Sequence, residues 1–141
     1  MARSMTLEVI TPSKLFYKGE VQLVIVRTLT GDEGFMPRHT WAVKLLNAGE
    51  LWFQEAGSTD FKIAAIAGGF IDVKENIIIF TDAAEWPEDI DLERAIREKE
   101  KAENWLKNPS DDDSEIARAK IAILKNLTRM HVKEGGHRRK R

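Results

Sequence analysis

The chain has 141 residues, 43% of them hydrophobic, with 22 Lys and Arg against 23 Asp and Glu and no cysteine. That length suits one ordinary domain or a small domain with an appendage, and a net charge of -1 offers no global basic field for nucleic acid. The missing cysteines exclude disulfides and thiolate chemistry and fit a reducing compartment, and no run approaches the roughly 20 apolar residues that span a bilayer.

Met1-Ala2-Arg3-Ser4 lacks the apolar core of a secretory signal, so work at a membrane is expected to go through partners, without direct insertion. Between Thr6 and Thr81, short apolar runs at 7–9, 21–29, 42–46, 51–53, 61–67, 70–73 and 77–80 are separated by turn formers. The spacing of about ten residues predicts a β-sandwich or barrel. Breaks are expected at 11–13, Gly19, 31–34, 47–49, 57–60, Gly68-Gly69 and Glu75-Asn76. Val21, Leu23 and Ile25 alternate with Val24 and Val26, which predicts a strand near the middle of the fold and buried on both faces.

The short polar gap Lys74-Glu75-Asn76 predicts an antiparallel hairpin, and Gly68-Gly69 inside an apolar run predicts a bend. Gly31-Asp32-Glu33-Gly34-Phe35-Met36-Pro37-Arg38-His39 reads as a long turn; it lacks the lysine and following helix of a phosphate-binding loop. Acidic Asp32 and Glu33 beside Phe35 and Met36 suit a contact surface as well.

The pattern changes between Glu85 and Arg97, where alternation gives way to helical spacing. Pro87 biases Trp86 away from helix, and Asp89 or Asp91 can cap a first turn. Leu92, Ala95, Ile96, Ala102, Trp105 and Leu106 form a thin stripe, interrupted by Lys99, that stops at Asn108-Pro109. A polar turn with a capping box of Asp112 and Glu115 leads into a second stripe, Ile116, Ala119, Ile123, Leu127 and Met130. The expected product is an antiparallel pair of helices closed by Gly135-Gly136. The layout is therefore α+β: a sandwich over 1–86, a mobile helical hairpin over 87–134 and a basic disordered tail over 135–141.

Chemistry for bond making is sparse. His39, His131 and His137 are scattered, so no metal site is expected, and no serine stands in a strand-to-helix elbow, so neither is an enzyme acting alone. The joint does place Glu85 and Asp91 near Arg94 and Arg97 at a helix N-terminus, a place to hold a polar ligand, although capping and surface ion pairs explain the same residues. The basic tail is the only candidate for nucleic-acid binding, and Asp111-Asp112-Asp113 with no interleaved aromatics counts against it.

Four stretches in register resemble a known family. Thr11-Pro12, the 31–39 loop, Ala67-Gly68-Gly69-Phe70-Ile71-Asp72-Val73 and Glu88-Asp89-Ile90-Asp91-Leu92-Glu93-Arg94-Ala95 together resemble the epsilon subunit of the bacterial F-type ATP synthase, from about residue 5 to residue 132. The resemblance implies a non-catalytic rotor subunit at the cytoplasmic side of the cell membrane. Its sandwich would bind the gamma subunit and the c ring, and its hairpin would lie folded or extend into the alpha/beta catalytic head to inhibit hydrolysis. For contact with the c ring and gamma it implies Gly31, Asp32, Glu33, Phe35, Met36 and His39.

It also implies that ATP serves as a regulatory ligand, with no cofactor required, held by Glu85, by Ile90, Asp91, Arg94 and Ala95 of the motif Ile/Leu-Asp-x-x-Arg-Ala, and by Lys125 and Arg129. On that basis Arg94 and Arg129 are expected to grip the phosphates while Asp91 and Glu85 orient Arg94 or the adenosine. Lys125 stands where the family has arginine, Glu33 where it has an apolar residue and Arg38 where it has glycine; a lysine there forfeits a bidentate phosphate contact. The alternative is a free-standing ATP-responsive module whose hairpin is a lid.

Overall fold

The computed structural model describes residues 3–135. Seven strands come first: β1 (Met5–Ile10), β2 (Leu15–Thr28), β3 (Gly31–Phe35), β4 (Ala42–Glu55), β5 (Lys62–Val73), β6 (Ile77–Phe80) and β7 (Ala84–Glu85). A 3-10 turn at Pro87–Asp89 leads to α1 (Leu92–Lys107) and α2 (Asp113–Lys133). The expected order, strands and then a helical pair, is what the chain forms; beyond Gly135 the tail lies outside the described residues.

The strand order β1-β6-β5-β4-β2 closes on itself because β1 also pairs with β2, so the sandwich is a flattened barrel. Closure follows from strand length. β2 and β4 each run for 14 residues, and β2 leaves β1 near Val21 to pair with β4 and β3 over its second half. β1 and β6 are parallel, while β5 and β6 form the antiparallel hairpin expected around residues 74–76. Leu7, Val9, Val21, Val24, Val26, Phe35, Leu51, Phe53, Ile71, Val73, Ile77 and Ile79 are fully enclosed in one core, at alternate positions of their strands except in β2, where a register shift puts Val24 three residues after Val21.

Several expectations are corrected. Residues 31–35 are not a turn but strand β3, pairing with Val24–Thr28 in β2 and burying Phe35. Its polar residues reflect an edge strand: Asp32 pairs with Arg27 and Glu33 with Lys44 at 3.3 Å. Gly19 and residues 47–49 do not interrupt their strands; Gly19 makes room for the Tyr17 ring and Gly49 for the Arg27 stem. Nor is β2 buried on both faces, since Leu23 and Ile25 are only half-buried while Val24 and Val26 are enclosed. The cap of α2 is also simpler than a box: Asp112 accepts from the Ser114 amide at 2.9 Å, while Glu115 takes the Ser110 hydroxyl.

The bend at Gly68-Gly69 is present, with φ of 92° and 116°. It divides β5 between two partners, β7 at Ala65–Ile66 and β6 at Phe70–Val73. Arg38, at the position the resemblance gives to glycine, has φ 72°, so the loop keeps a left-handed backbone at a steric cost of about 1 kcal/mol. Trp86 fixes the joint to the sandwich, stacking on Phe16 at 4.5 Å with Tyr17 and Phe53 beside it. Burial, and then the Glu55 carboxylate that accepts from its hydroxyl at 2.7 Å, push the Tyr17 phenol well above its ordinary value.

Asp91 is the cap of α1, and Ala95 and Ala102 are buried where the small side chain lets the helices approach. Lys99 sits half-buried and bonds Glu103 at 3.0 Å. α1 packs chiefly on α2, and α2 is the helix that lies over β4 and β5. The expected second stripe is only half-buried; the enclosed side chains of α2 are Asn126, Thr128 and Val132. Asn126 and Thr128 tolerate burial because they donate to carbonyls of their own helix, Ala122 at 2.8 Å and Leu124 at 2.9 Å. The buried apolar cluster between hairpin and sandwich is Val132, Ile90 and Ala65, with Ile63 beside them, and α2 also lies across β4.

Candidate functional site: a carboxylate latch and an open sheet face

Pairing of Ala65 with Glu85 sets the β7 carboxylate against α2. Arg129 donates from Nε to Glu85 Oε1 at 2.6 Å and from Nη2 to Oε2 at 3.2 Å, a two-bond fork, while Nη1 donates to Asn126 Oδ1 at 3.1 Å. The two charged side chains are 20% and 32% exposed, so water screens the pair only in part. Lys125, one turn earlier on α2, lines the same small cleft with Ala65, Ile66, Ala67 and Ala83. Lys133 adds a second tie, donating from Nζ to the Pro87 carbonyl at 3.1 Å.

Glu85, Lys125 and Arg129, three of the ligand residues the resemblance implies, therefore line one cleft. The other ligand candidates do not join them. Asp91 is exposed and accepts from the Arg94 amide at 3.0 Å, the Arg94 side chain is exposed, and neither lines the cleft. Ile90 and Ala95 are buried, the first against Ala65 and Val132. Glu85 orients Arg129 rather than Arg94, so an anion in the cleft has to compete with a carboxylate for the guanidinium. Sequence reasoning missed Asn126 and gave Lys133 a place only on the basic face of the second helix; Asn126 stands three residues before Arg129, the helical spacing at which side chains meet.

In the 31–39 segment the contact candidates divide. Phe35 is core, and the His39 ring sits edge-on to it at 4.7 Å while its Nδ1 donates to the Thr40 carbonyl. Gly31 is half-buried at the start of β3, paired with Thr28, Asp32 and Glu33 are held in the ion pairs already described, and Met36 is 62% exposed just past β3.

A second surface lies on the outer face of the barrel beyond the glycine bend. Register places Leu45, Phe70, Phe80, Ile10 and Leu15 in one row across β4, β5, β6, β1 and β2. Val43, Asp72, Ile78 and Glu8 form the next row. Val43 and Leu45 are 68% and 62% exposed, Trp41 just ahead of β4 is 64% exposed, and Phe70 and Phe80 stack at 4.9 Å. A contiguous apolar sheet face of this kind is a candidate docking surface. No described helix is long and apolar enough to cross a membrane.

Comparison with known proteins agrees with this division into sandwich and hairpin. Residues 4–87 match the family model for the ATP synthase delta/epsilon chain beta-sandwich domain, and residues 88–134 match that for its long alpha-helix domain. The ATP synthase epsilon chain of Caldicellulosiruptor saccharolyticus is 36% identical over 129 residues, covering 91% of this chain and 92% of that one. That of Alkaliphilus metalliredigens is 44% identical over 107 residues, 75% and 78% of the two chains. Among solved structures, a chain of the Euglena gracilis mitochondrial ATP synthase assembly of OSCP, F1 and c-ring superposes with TM-score 0.74 at 25% identity, covering 88% of this chain and 79% of its own. A chain from the Tetrahymena thermophila central stalk and c-ring shares the fold, with TM-score 0.65 at 13% identity over 93% and 97%. With both halves matched in order over nearly its whole length, the chain belongs to the delta/epsilon chain family of ATP synthase, whose members are accessory subunits that are not catalytic by themselves.

Proposed function

We propose that this protein is a rotor subunit of the central stalk of a bacterial ATP synthase, coupling ion-driven rotation of the c ring to ATP synthesis from the cytoplasmic side of the cell membrane. Its exposed sheet face docks on the gamma subunit, and the exposed Met36 of the 31–39 segment reaches the c ring. Its hairpin is a brake on ATP hydrolysis: folded on the sandwich it is disengaged, and extended along gamma it presents the basic residues Lys120, Lys125, Arg129 and Lys133 of α2 to the alpha/beta head.

The observation that carries this reading is the poverty of the hairpin's own dock. Contacts of Val132 and Ile90 stabilise the folded form by about 2 kcal/mol each, and the Arg129–Glu85 fork adds roughly 2 more. That total is close to the ~5.5 kcal/mol that carries a two-state element from 1:99 to 99:1. A partner surface of ordinary affinity can therefore displace the helices. Deleting residues 130–141 should raise the ATPase rate of the assembled complex severalfold; an unchanged rate would remove the brake from the proposal and leave the rotor assignment standing.

ATP enters the proposal as a ligand of the folded form, with its phosphates on Lys125 and Arg129. Because Glu85 already occupies Arg129 and Lys125 offers only a point charge, binding is weak. Calorimetric titration of the isolated chain should give a dissociation constant in or above the millimolar range, tightened by Lys125→Arg. A titration that detects no heat for either form rules ATP out as a ligand.

A further inference from the structure

The open sheet face holds one polar feature that its apolar surroundings leave unexplained. Asp72 lies in the row between Val43 and Ile78, next to the row of Leu45, Phe70 and Phe80. Its Oδ1 is shut off from solvent and accepts no hydrogen bond among the described residues. The other oxygen has only Lys74, at 3.9 Å, beyond hydrogen-bond distance. A carboxylate oxygen enclosed without a donor costs free energy, and any surface that covers this face removes the remaining water around it.

We infer that Asp72 is the polar anchor of the rotor interface, and that the partner surface seated on this face places an arginine or lysine against Asp72 within a ring of apolar side chains. The inference rests on the rotor reading and adds to it the chemistry the partner must present. The apolar rows supply area and exclude water; the buried charge supplies register, because a partner lacking a matching cation, or shifted by one residue pair along β5, would bury the acid unpaired. Lys74 stands 3.9 Å from Oδ2, beyond hydrogen-bond distance, so the oxygen on the exposed side of the carboxylate is the acceptor that the incoming cation meets. In the free chain Asp72 is a liability, and in the assembly it is a specific contact.

The test uses full-length protein and an ATP synthase complex stripped of this subunit, with rebinding followed at low and high salt. Asp72→Asn keeps the shape and removes the charge. It should weaken rebinding about thirtyfold or more and flatten the salt dependence, while the free chain melts at the same temperature or higher. Leu45→Glu, on the adjoining row, should abolish rebinding. Wild-type affinity for Asp72→Asn with loss of binding for Leu45→Glu would overturn the anchor and keep the face. Wild-type affinity for both would overturn the face as well. A lowered melting temperature for the asparagine chain would show that Asp72 supports the fold instead, and that too overturns the inference.

Discussion

Replacing Val132 with aspartate should release the helical hairpin from the sandwich and leave the sandwich folded. Val132 is fully enclosed and is the one apolar side chain of α2 that is. Its surroundings, Ala65, Ile90 and Ile63, offer a carboxylate no donor. An uncompensated charge in such a place costs about 3 to 5 kcal/mol, comparable to the contacts of Val132 and Ile90 together. Amide exchange in α2 should accelerate by at least about a hundredfold, while exchange in β1, β2, β4 and β6 keeps its wild-type rate. Val132→Ala, which removes two methyl groups, should give roughly a tenfold acceleration. If α2 in the aspartate variant exchanged within threefold of wild type, the seam would not be what keeps the hairpin in place.

In the assembled enzyme the same variant distinguishes undocking from loss of the brake. A hairpin that cannot fold back is more often extended, so Val132→Asp should slow ATP hydrolysis, whereas removing residues 130–141 should speed it. Opposite signs from two changes at one end of α2 follow from a two-position element and from no simple destabilisation.

The strand and helix order was legible because periodicity changes once, near Glu85, and short apolar runs separated by turn formers precede that point while helical stripes follow it. β3 was not. Asp32, Glu33 and two glycines read as a turn, because an edge strand needs polar side chains while its only enclosed residue is Phe35, and the partner that makes it a strand is several residues back in β2. Glycine misled twice more. At Gly19 and Gly49 it admits a neighbouring side chain, which sequence punctuation does not distinguish from a break. At the site, Glu85, Lys125 and Arg129 could be grouped through the family resemblance. Their geometry could not, since which arginine a carboxylate takes depends on how α2 lies across β5. The dock of α2 was hidden for a related reason: Asn126 and Thr128 look like surface residues until their bonds to the helix's own carbonyls are seen.

Gly69→Ala should destabilise the sandwich more than any other change of one methyl group considered at its glycines. A Cβ at this position would lie 1.9 Å from the Phe80 carbonyl oxygen and 2.9 Å from Thr81 Cα, both backbone atoms that no rotamer change can move. The backbone angle of +116° adds strain of its own. Together these effects cost about 3 kcal/mol or more, enough to lower the melting temperature by about 10 °C. Gly57→Ala is the control, because φ there is +80° but nothing lies within 4 Å, so only the conformational term remains. Thermal unfolding followed by circular dichroism should rank the two clearly; equal melting temperatures would mean that the bend relaxes at little cost. The consequence for function is specific. On one side of Gly69, β5 meets β7 and carries Ala65 under the hairpin; on the other it meets β6 and carries Phe70 and Asp72 on the open face. Opening that corner shifts both docking surfaces against each other, so the alanine chain should lose affinity for the stripped complex at temperatures where its strands are still formed.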